Sequence, residues 1–223
     1  MNSFTEQQLS TLRDTVARHF ADADRAHDID HLHRVERMAA RLARVEGLDE
    51  TLARAAALVH DYHRLDGAHG LETSGAGGAH HVREVLAGCG AAAEAIERVE
   101  ECVNYTDQYA MSGDTLAAPS REAEVVRDAD NLDAMGAIGI ARAFAFGATI
   151  DEPMWNPAAA IRDHYDRGRA PSVIHHFHEK LLNLRHELTT PTAKAIGEAR
   201  HEQLQQFVTT FCAEWDAADN IPV

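Results

Sequence analysis

The run from Leu52 to Val59 is an Ala-rich apolar helix that ends by delivering His60 and Asp61 side by side, with Tyr62 and His63 behind them. A helix apolar on nearly every side belongs in a core, so the fold has to wrap other elements around this one. The His-Asp pair is costly to bury unpaired. One solution is a satisfied core histidine beside an aspartate that caps a neighbour. The other is a divalent cation, which takes an imidazole nitrogen and a carboxylate together. Successive helical side chains point ~100° apart, so both groups reach one ion only if it lies between their directions or the helix distorts. The spacing therefore predicts an irregular turn over His60 to His63.

Elsewhere apolar residues recur at three and four positions and β-branched runs are scarce, which predicts an all-α chain. Phe4, Leu9, Leu12, Val16 and Phe20 stripe a first helix from Thr5 to Ala23. A second, Asp28 to Glu46, turns Leu32, Val35, Met38, Ala39, Leu42 and Val45 inward and stops at Gly47; Asp49 opens the third. Arg64 to Ala79 loses the periodicity and carries five glycines, so it reads as a loop, either a lid over the His-Asp pair or a plain connector. His80 and His81 start a fourth helix, Ala91 to Thr106 makes a fifth, and Tyr109 to Pro119 is a loop. Ser120 caps the helix leading into Asp128, Asp130 and Asp133. Ala134 to Gly147, with a small residue at nearly every second place, reads as a helix buried at the centre. Asp151 to Pro157 breaks the pattern and is a second candidate lid. Ser172 to Leu188 and Thr192 to about Trp215 read as two long helices. No seam in composition divides the 223 residues, so one domain is expected over 1–223, with its metal-site core at about 25–147 and the helices of 157–216 packed on it.

A formal charge of −15 weighs against a nucleic acid polymer as partner but suits a small anionic substrate held by a metal. Three cysteines without C-x-x-C spacing suggest neither a disulfide framework nor a thiolate zinc site. Met1 to His19 has no continuous apolar core, so no membrane association is expected and a cytoplasmic location fits best. There is no G-x-S-x-G elbow, Walker-type loop, G-x-G-x-x-G or H-E-x-x-H.

Further ligands are available for the His-Asp pair. His27 to Arg34 is the densest ionisable patch; on a helix His27, His31 and Arg34 share one side, whereas His33 is turned ~200° from His31. His31 continues the inward stripe of Val35 and Met38. Downstream, Asp130 and Asp133 are three apart, so one can reach a metal while the other orients a ligand or a water.

A lone His31, then His60-Asp61, then Asp130, in an all-α chain, resembles the HD superfamily of metal-dependent phosphohydrolases. Asp128 to Arg142, His176 to Leu182 and Glu198 to Glu202 extend the similarity to a bacterial soluble branch across nearly the whole chain. The resemblance implies an HD-domain-like helical bundle with one divalent ion, Mn²⁺ or Mg²⁺ foremost and Fe²⁺, Ni²⁺ or Zn²⁺ as alternatives, held by His31, His60, Asp61 and Asp130. It implies hydrolysis of a phosphoester or phosphoanhydride bond, in a nucleotide above all, by a metal-activated water. Asp133 and Asp128 are then orienters or a proton acceptor, and His80 is a candidate general acid. Lys180 and Arg200 are candidates for holding phosphate, Arg34 for pairing with a metal-ligating carboxylate or touching a substrate phosphate, and Trp155, Phe144 and Phe146 for stacking on a base. Asn131 stands where a basic residue is usual, and Asn104 to Asp107 replaces a His-rich helix end, so both are expected to border the pocket. Two other readings keep the fold: a hydratase or lyase on a small non-phosphate substrate, favoured by an apolar pocket without cations, and a non-catalytic metal- or nucleotide-binding regulatory module. The sequence leaves the oligomeric state open.

Overall fold

The computed structural model describes residues 3–21, 23, 27–65, 79–162, 164–165 and 169–218. All regular structure among them is helical. The order is α1 (Glu6–His19), α2 (Ile29–Glu46), α3 (Glu50–Val59), α4 (Ala79–Gly88), α5 (Ala93–Thr106), α6 (Arg121–Asp133), α7 (Gly136–Thr149), α8 (Val173–Glu179), α9 (Leu184–Glu187) and α10 (Pro191–Trp215). Short 3₁₀ turns lie at Tyr62–Leu65, Ala110–Ser112 and Leu181–Asn183. No helix among the described residues is long and apolar enough to cross a membrane.

Helix α3 is the axle, packed by α1, α2, α5 and α6, and buried at every residue except Glu50 and Arg54. Arg54 escapes the cost of its position by donating to Glu36 of α2 at 3.1 Å and to Glu6 of α1 at 2.6 Å. Local signals set the register of the site-bearing helices. The Asp28 side chain caps α2 by accepting from the His31 amide at 3.0 Å, which puts His31 in the first turn. Gly47, at φ +70°, closes α2. Asp49 accepts from the Thr51 and Leu52 amides at the start of α3, and Ser120 caps α6.

Four expectations need correction. Val45 does not turn inward with the rest of the α2 stripe but is 64% exposed in the last turn. Helix α7 is not buried at the centre: only Gly136, Gly139 and Gly147 are buried, and Ile138 is 44% exposed. Its glycines instead permit close approach on one side, since a Cβ on Gly147 would lie 2.5 Å from Val173 Cγ2. The helix expected over Ser172 to Leu188 breaks at Lys180, whose φ of −124° and ψ of −62° leave the helical region. Asn183 Nδ2 donates to the His178 carbonyl at 2.9 Å and the Glu179 carbonyl at 3.3 Å, taking acceptors at the end of α8. The segment from Asp151 to Pro157 is a fixed wall and not a lid, because the Val173 and Ile174 amides donate to the Pro153 and Met154 carbonyls, each at 3.0 Å. The lid expected between Arg64 and Ala79 falls on residues 66–78, outside the described residues.

Candidate metal centre and its cavity

Helix α3 ends at Val59, and His60 and Asp61 occupy an irregular turn before the 3₁₀ segment, as the side-chain directions required. The turn brings both onto the inner side of α2 and α6. His31 Nε2 lies 3.3 Å from Asp61 Oδ2 and 3.5 Å from Asp130 Oδ1, and His60 Nε2 lies 3.6 Å from Asp61 Oδ1 and 3.6 Å from Asp130 Oδ1. His31, His60 and Asp130 each present a ligand atom within 4.8 Å of the others. His31 Nε2, His60 Nε2 and Asp61 Oδ2 are buried without a hydrogen-bond partner. Buried polar atoms are ordinarily paired; the two orphaned imidazole nitrogens beside Asp130 Oδ1, with orphaned Asp61 Oδ2 next to His31, fit a cation as their missing partner.

The surrounding bonds decide which nitrogen is offered. His60 Nδ1 lies 2.8 Å from the Ala57 carbonyl oxygen, which can only accept, so Nδ1 carries a proton and Nε2 is the nitrogen turned to the cluster. His31 Nδ1 likewise donates to Asp133 Oδ2 at 2.8 Å. Asp133 is itself gripped by Arg34, Nε to Oδ1 at 2.8 Å and Nη2 to Oδ2 at 3.0 Å, and by Arg142 at 3.1 Å. Burial opposes ionisation of Asp133, but these donors outweigh it and bring its carboxyl to about 2. Burial likewise disfavours charge on Asp61, and Arg64, donating to Oδ1 at 2.8 Å, together with the histidines holds it well below the usual carboxylate range. For His60, burial is overcome by Asp61 and Asp130, which raise the ring to about 9. The point between these groups therefore favours positive charge.

The cluster opens through Asp61 and Asp130 into a cavity of ≈ 160 Å³. Asp130, with an 18% exposed side chain, is its more accessible carboxylate. Arg64, Arg142, Arg169 and Lys180 line the same cavity, with Tyr109, Tyr165, Phe146 and His176 as aromatic walls. Buried Asn131 also faces it, and its Nδ2 has no partner.

A family model described as the HD domain matches residues 28–135, which include His31, His60, Asp61 and Asp130. The chain is 32% identical over 207 residues to the uncharacterized protein YpgQ of Bacillus subtilis, covering 91% of each. The chain belongs to the HD superfamily. Its structure is similar to that of a Lactobacillus plantarum protein, with 34% identity, a TM-score of 0.82 and coverage of 96% of this chain and 99% of that one. It is also similar to an HD-superfamily hydrolase of Bacillus thuringiensis, at 30% identity, TM-score 0.71 and 95% and 98% coverage. The crystal structure of YpgQ in complex with ADP matches at 30% identity and TM-score 0.71, over 92% of this chain and 94% of that one. Membership of the HD superfamily supports a metal-dependent hydrolase.

Within this HD fold the expected residues sort unevenly. His31, His60, Asp61 and Asp130 come together; Asp133 stands directly behind His31; Lys180 lines the cavity. Asp128 does not join them. It faces the opposite side of α6, where Thr189 and Thr190 donate to it through both amides and both hydroxyls at 2.7–3.1 Å, so it fastens the start of α10. Arg34 is spent on Asp133 and does not line the cavity, and Arg200 donates to the Leu132 carbonyl at the end of α6. His80 falls in α4, but its side chain is outside what the structure describes. Phe146 reaches the cavity, whereas Phe144 packs on Phe177, Phe207 and Phe211, and Trp155 stacks on His175 at 4.8 Å. Asn131 borders the cavity as expected; the stretch from Asn104 to Asp107 does not, and Asp107 lies 3.1 Å from His63. Arg64, Arg142, Tyr109 and Tyr165 were not singled out from sequence. Arg64 had a signal, three residues after Asp61; Tyr165 had none.

Proposed function

We propose that the protein hydrolyses a phosphoester or phosphoanhydride bond of a nucleotide, with a divalent ion, Mn²⁺ or Mg²⁺ foremost, held by His31, His60, Asp61 and Asp130. One observation carries the reading: the open ligand atoms and the cations Arg64, Arg142 and Lys180 meet in one cavity of a chain whose net charge is −15. Against that bulk field, local cations are what a phosphate requires. The ADP in the YpgQ structure supports a nucleotide as the phosphate's carrier.

When bound, a divalent ion lowers the pKa of a coordinated water and neutralises charge developing on a phosphoryl oxygen. The chain's own groups do the rest. Asp133 and the Ala57 carbonyl hold the two imidazoles in the tautomer that points Nε2 at the cluster. Arg64 keeps Asp61 ionised and oriented. Lys180 and Arg142 bring positive charge to the phosphate, Asn131 Nδ2 offers a donor, and the aromatic walls exclude water and present faces to a base. Cations beside the cluster weigh against the hydratase or lyase reading.

Metal analysis of the purified protein, followed by a nucleotide and phosphoester panel with Mn²⁺, tests this. Wild-type protein should hold metal and release phosphate or pyrophosphate; Asp61→Ala should do neither. Equal metal content and equal turnover in Asp61→Ala would sink the mechanism.

A further inference from the structure

Lys180 differs from Arg34, Arg64 and Arg142. Arg64 is tied to Asp61, and Arg142 and Arg34 are tied to Asp133. Lys180 Nζ has no hydrogen bond and no carboxylate partner among the described residues. It lies instead 4.7 Å from the centroid of the Tyr109 ring and 5.0 Å from that of Tyr165. Those two rings meet edge to face at 6.2 Å. The Arg127 guanidinium also lies over Tyr109, 5.4 Å from the same ring. Arg127 is fully buried and immobilised, donating from Nε to the Gln108 carbonyl at 2.7 Å and from Nη1 to the Glu187 carbonyl at 2.6 Å, and pairing with the Glu187 carboxylate. Tyr109 is pinned further by its amide, which donates to Asp114 Oδ2 at 2.8 Å.

Resting on the nucleotide hydrolase reading, we propose that Tyr109 and Tyr165 form a two-ring seat that holds the Lys180 ammonium unpaired in the cavity as the receptor for a substrate phosphate. Ring faces attract a cation through their quadrupole within about 6 Å. Unlike a carboxylate, they neither neutralise it nor consume its three N–H donors. An incoming phosphate therefore meets an ammonium with no carboxylate bonded to it, and the ammonium is already ordered. The break in the helix at Lys180 belongs to this device, since it falls on the residue that enters the cavity. Tyr109 and Tyr165 are positioning residues: they act on substrate through Lys180. Arg127, itself immobilised, holds Tyr109 in place.

Calorimetric binding of ADP and of inorganic pyrophosphate to the metal-loaded protein tests the seat. Lys180→Met should weaken both probes by ~10-fold or more, and Tyr109→Leu or Tyr165→Leu by ~3–10-fold, within the range of a desolvated cation–π contact. Tyr109→Phe and Tyr165→Phe, which keep the ring face, should retain most of the affinity. In a Lys180→Met background the Leu substitutions should cost nothing further. Leu variants that bind pyrophosphate like wild type, or that weaken it equally without the lysine, overturn the seat. A loss confined to ADP also overturns it, because the rings would then be stacking on the base. A wild-type protein that binds neither probe overturns both the seat and the nucleotide reading. Pyrophosphate binding that follows the expected cycle while no nucleotide is cleaved overturns the hydrolase reading and leaves the seat standing.

Discussion

The two ends of the cavity are built on different plans. At the metal end every side chain comes from a helix or the turn that closes one, and three of the four are held by another group: His31 by Asp133, His60 by the Ala57 carbonyl, Asp61 by Arg64. At the far end Tyr109, Tyr165 and Lys180 come from loops and a helix break, and ring faces take the place of hydrogen bonds. The difference matches what each end would have to do. A cation site needs ligand atoms fixed in one arrangement, whereas a receptor for a substrate that comes and goes needs charge left unspent.

The sharpest way to break the metal end is at a ligand. His60→Ala should abolish metal retention and cut nucleotide turnover by more than ~100-fold, read by elemental analysis and phosphate release; undiminished metal would contradict it. Behind the ligands the effect should shrink but keep its character. Asp133→Asn weakens the hold of Arg34 and Arg142 on this position and loosens His31, so metal affinity should fall ~10–100-fold, measured by competition with a chelator, while unfolding changes little by comparison. At the other end the signature reverses. Lys180→Met should leave metal content unchanged and raise KM by ~10-fold; loss of metal in this variant would erase the distinction between the two ends.

The smallest effect concerns His176, beside Lys180. Burial, reinforced by the Lys180 charge, pushes its imidazole down to about 3. The unfolded chain takes up a proton below about pH 6.5, which the folded chain resists. Its contribution to stability is therefore complete above about pH 6.5 and declines as pH falls towards 3. Thermal unfolding between pH 7 and pH 5 should show a shallower decline in His176→Phe than in wild type; equal slopes would contradict the assignment.

The same division governs what could be read from sequence. The metal end was legible because its signals are local or keep helical spacing. The Asp28 cap sets the first turn of α2, the apolar stripe shows which way His31 faces, and adjacent His60 and Asp61 demand the irregular turn that the structure has. Along α6, spacing alone could not separate Asp128 from Asp130. What separates them is Thr189 and Thr190, some sixty residues downstream, which supply four donors to one carboxylate and none to the other. Arg34 and Arg200 were drawn towards substrate because they are cations near motif residues, yet each is consumed by an acceptor, Asp133 and the Leu132 carbonyl, that only packing reveals. Helix α7 shows the limit of composition. Its small residues read like those of α3, but only α3 has neighbours on all sides. The seat around Lys180 depends on a helix break and on two tyrosines far apart in the chain, and no pattern of period 3.6 carries that information.

The central claim is that one cavity holds both a divalent ion and the phosphate of a nucleotide, and that hydrolysis needs the ion. The most direct measurement is nucleotide turnover by the chelator-stripped protein before and after Mn²⁺ is restored, with bound metal quantified in each sample. The stripped protein should release no phosphate, and release should recover in proportion to metal bound. Full turnover by metal-free protein would contradict it.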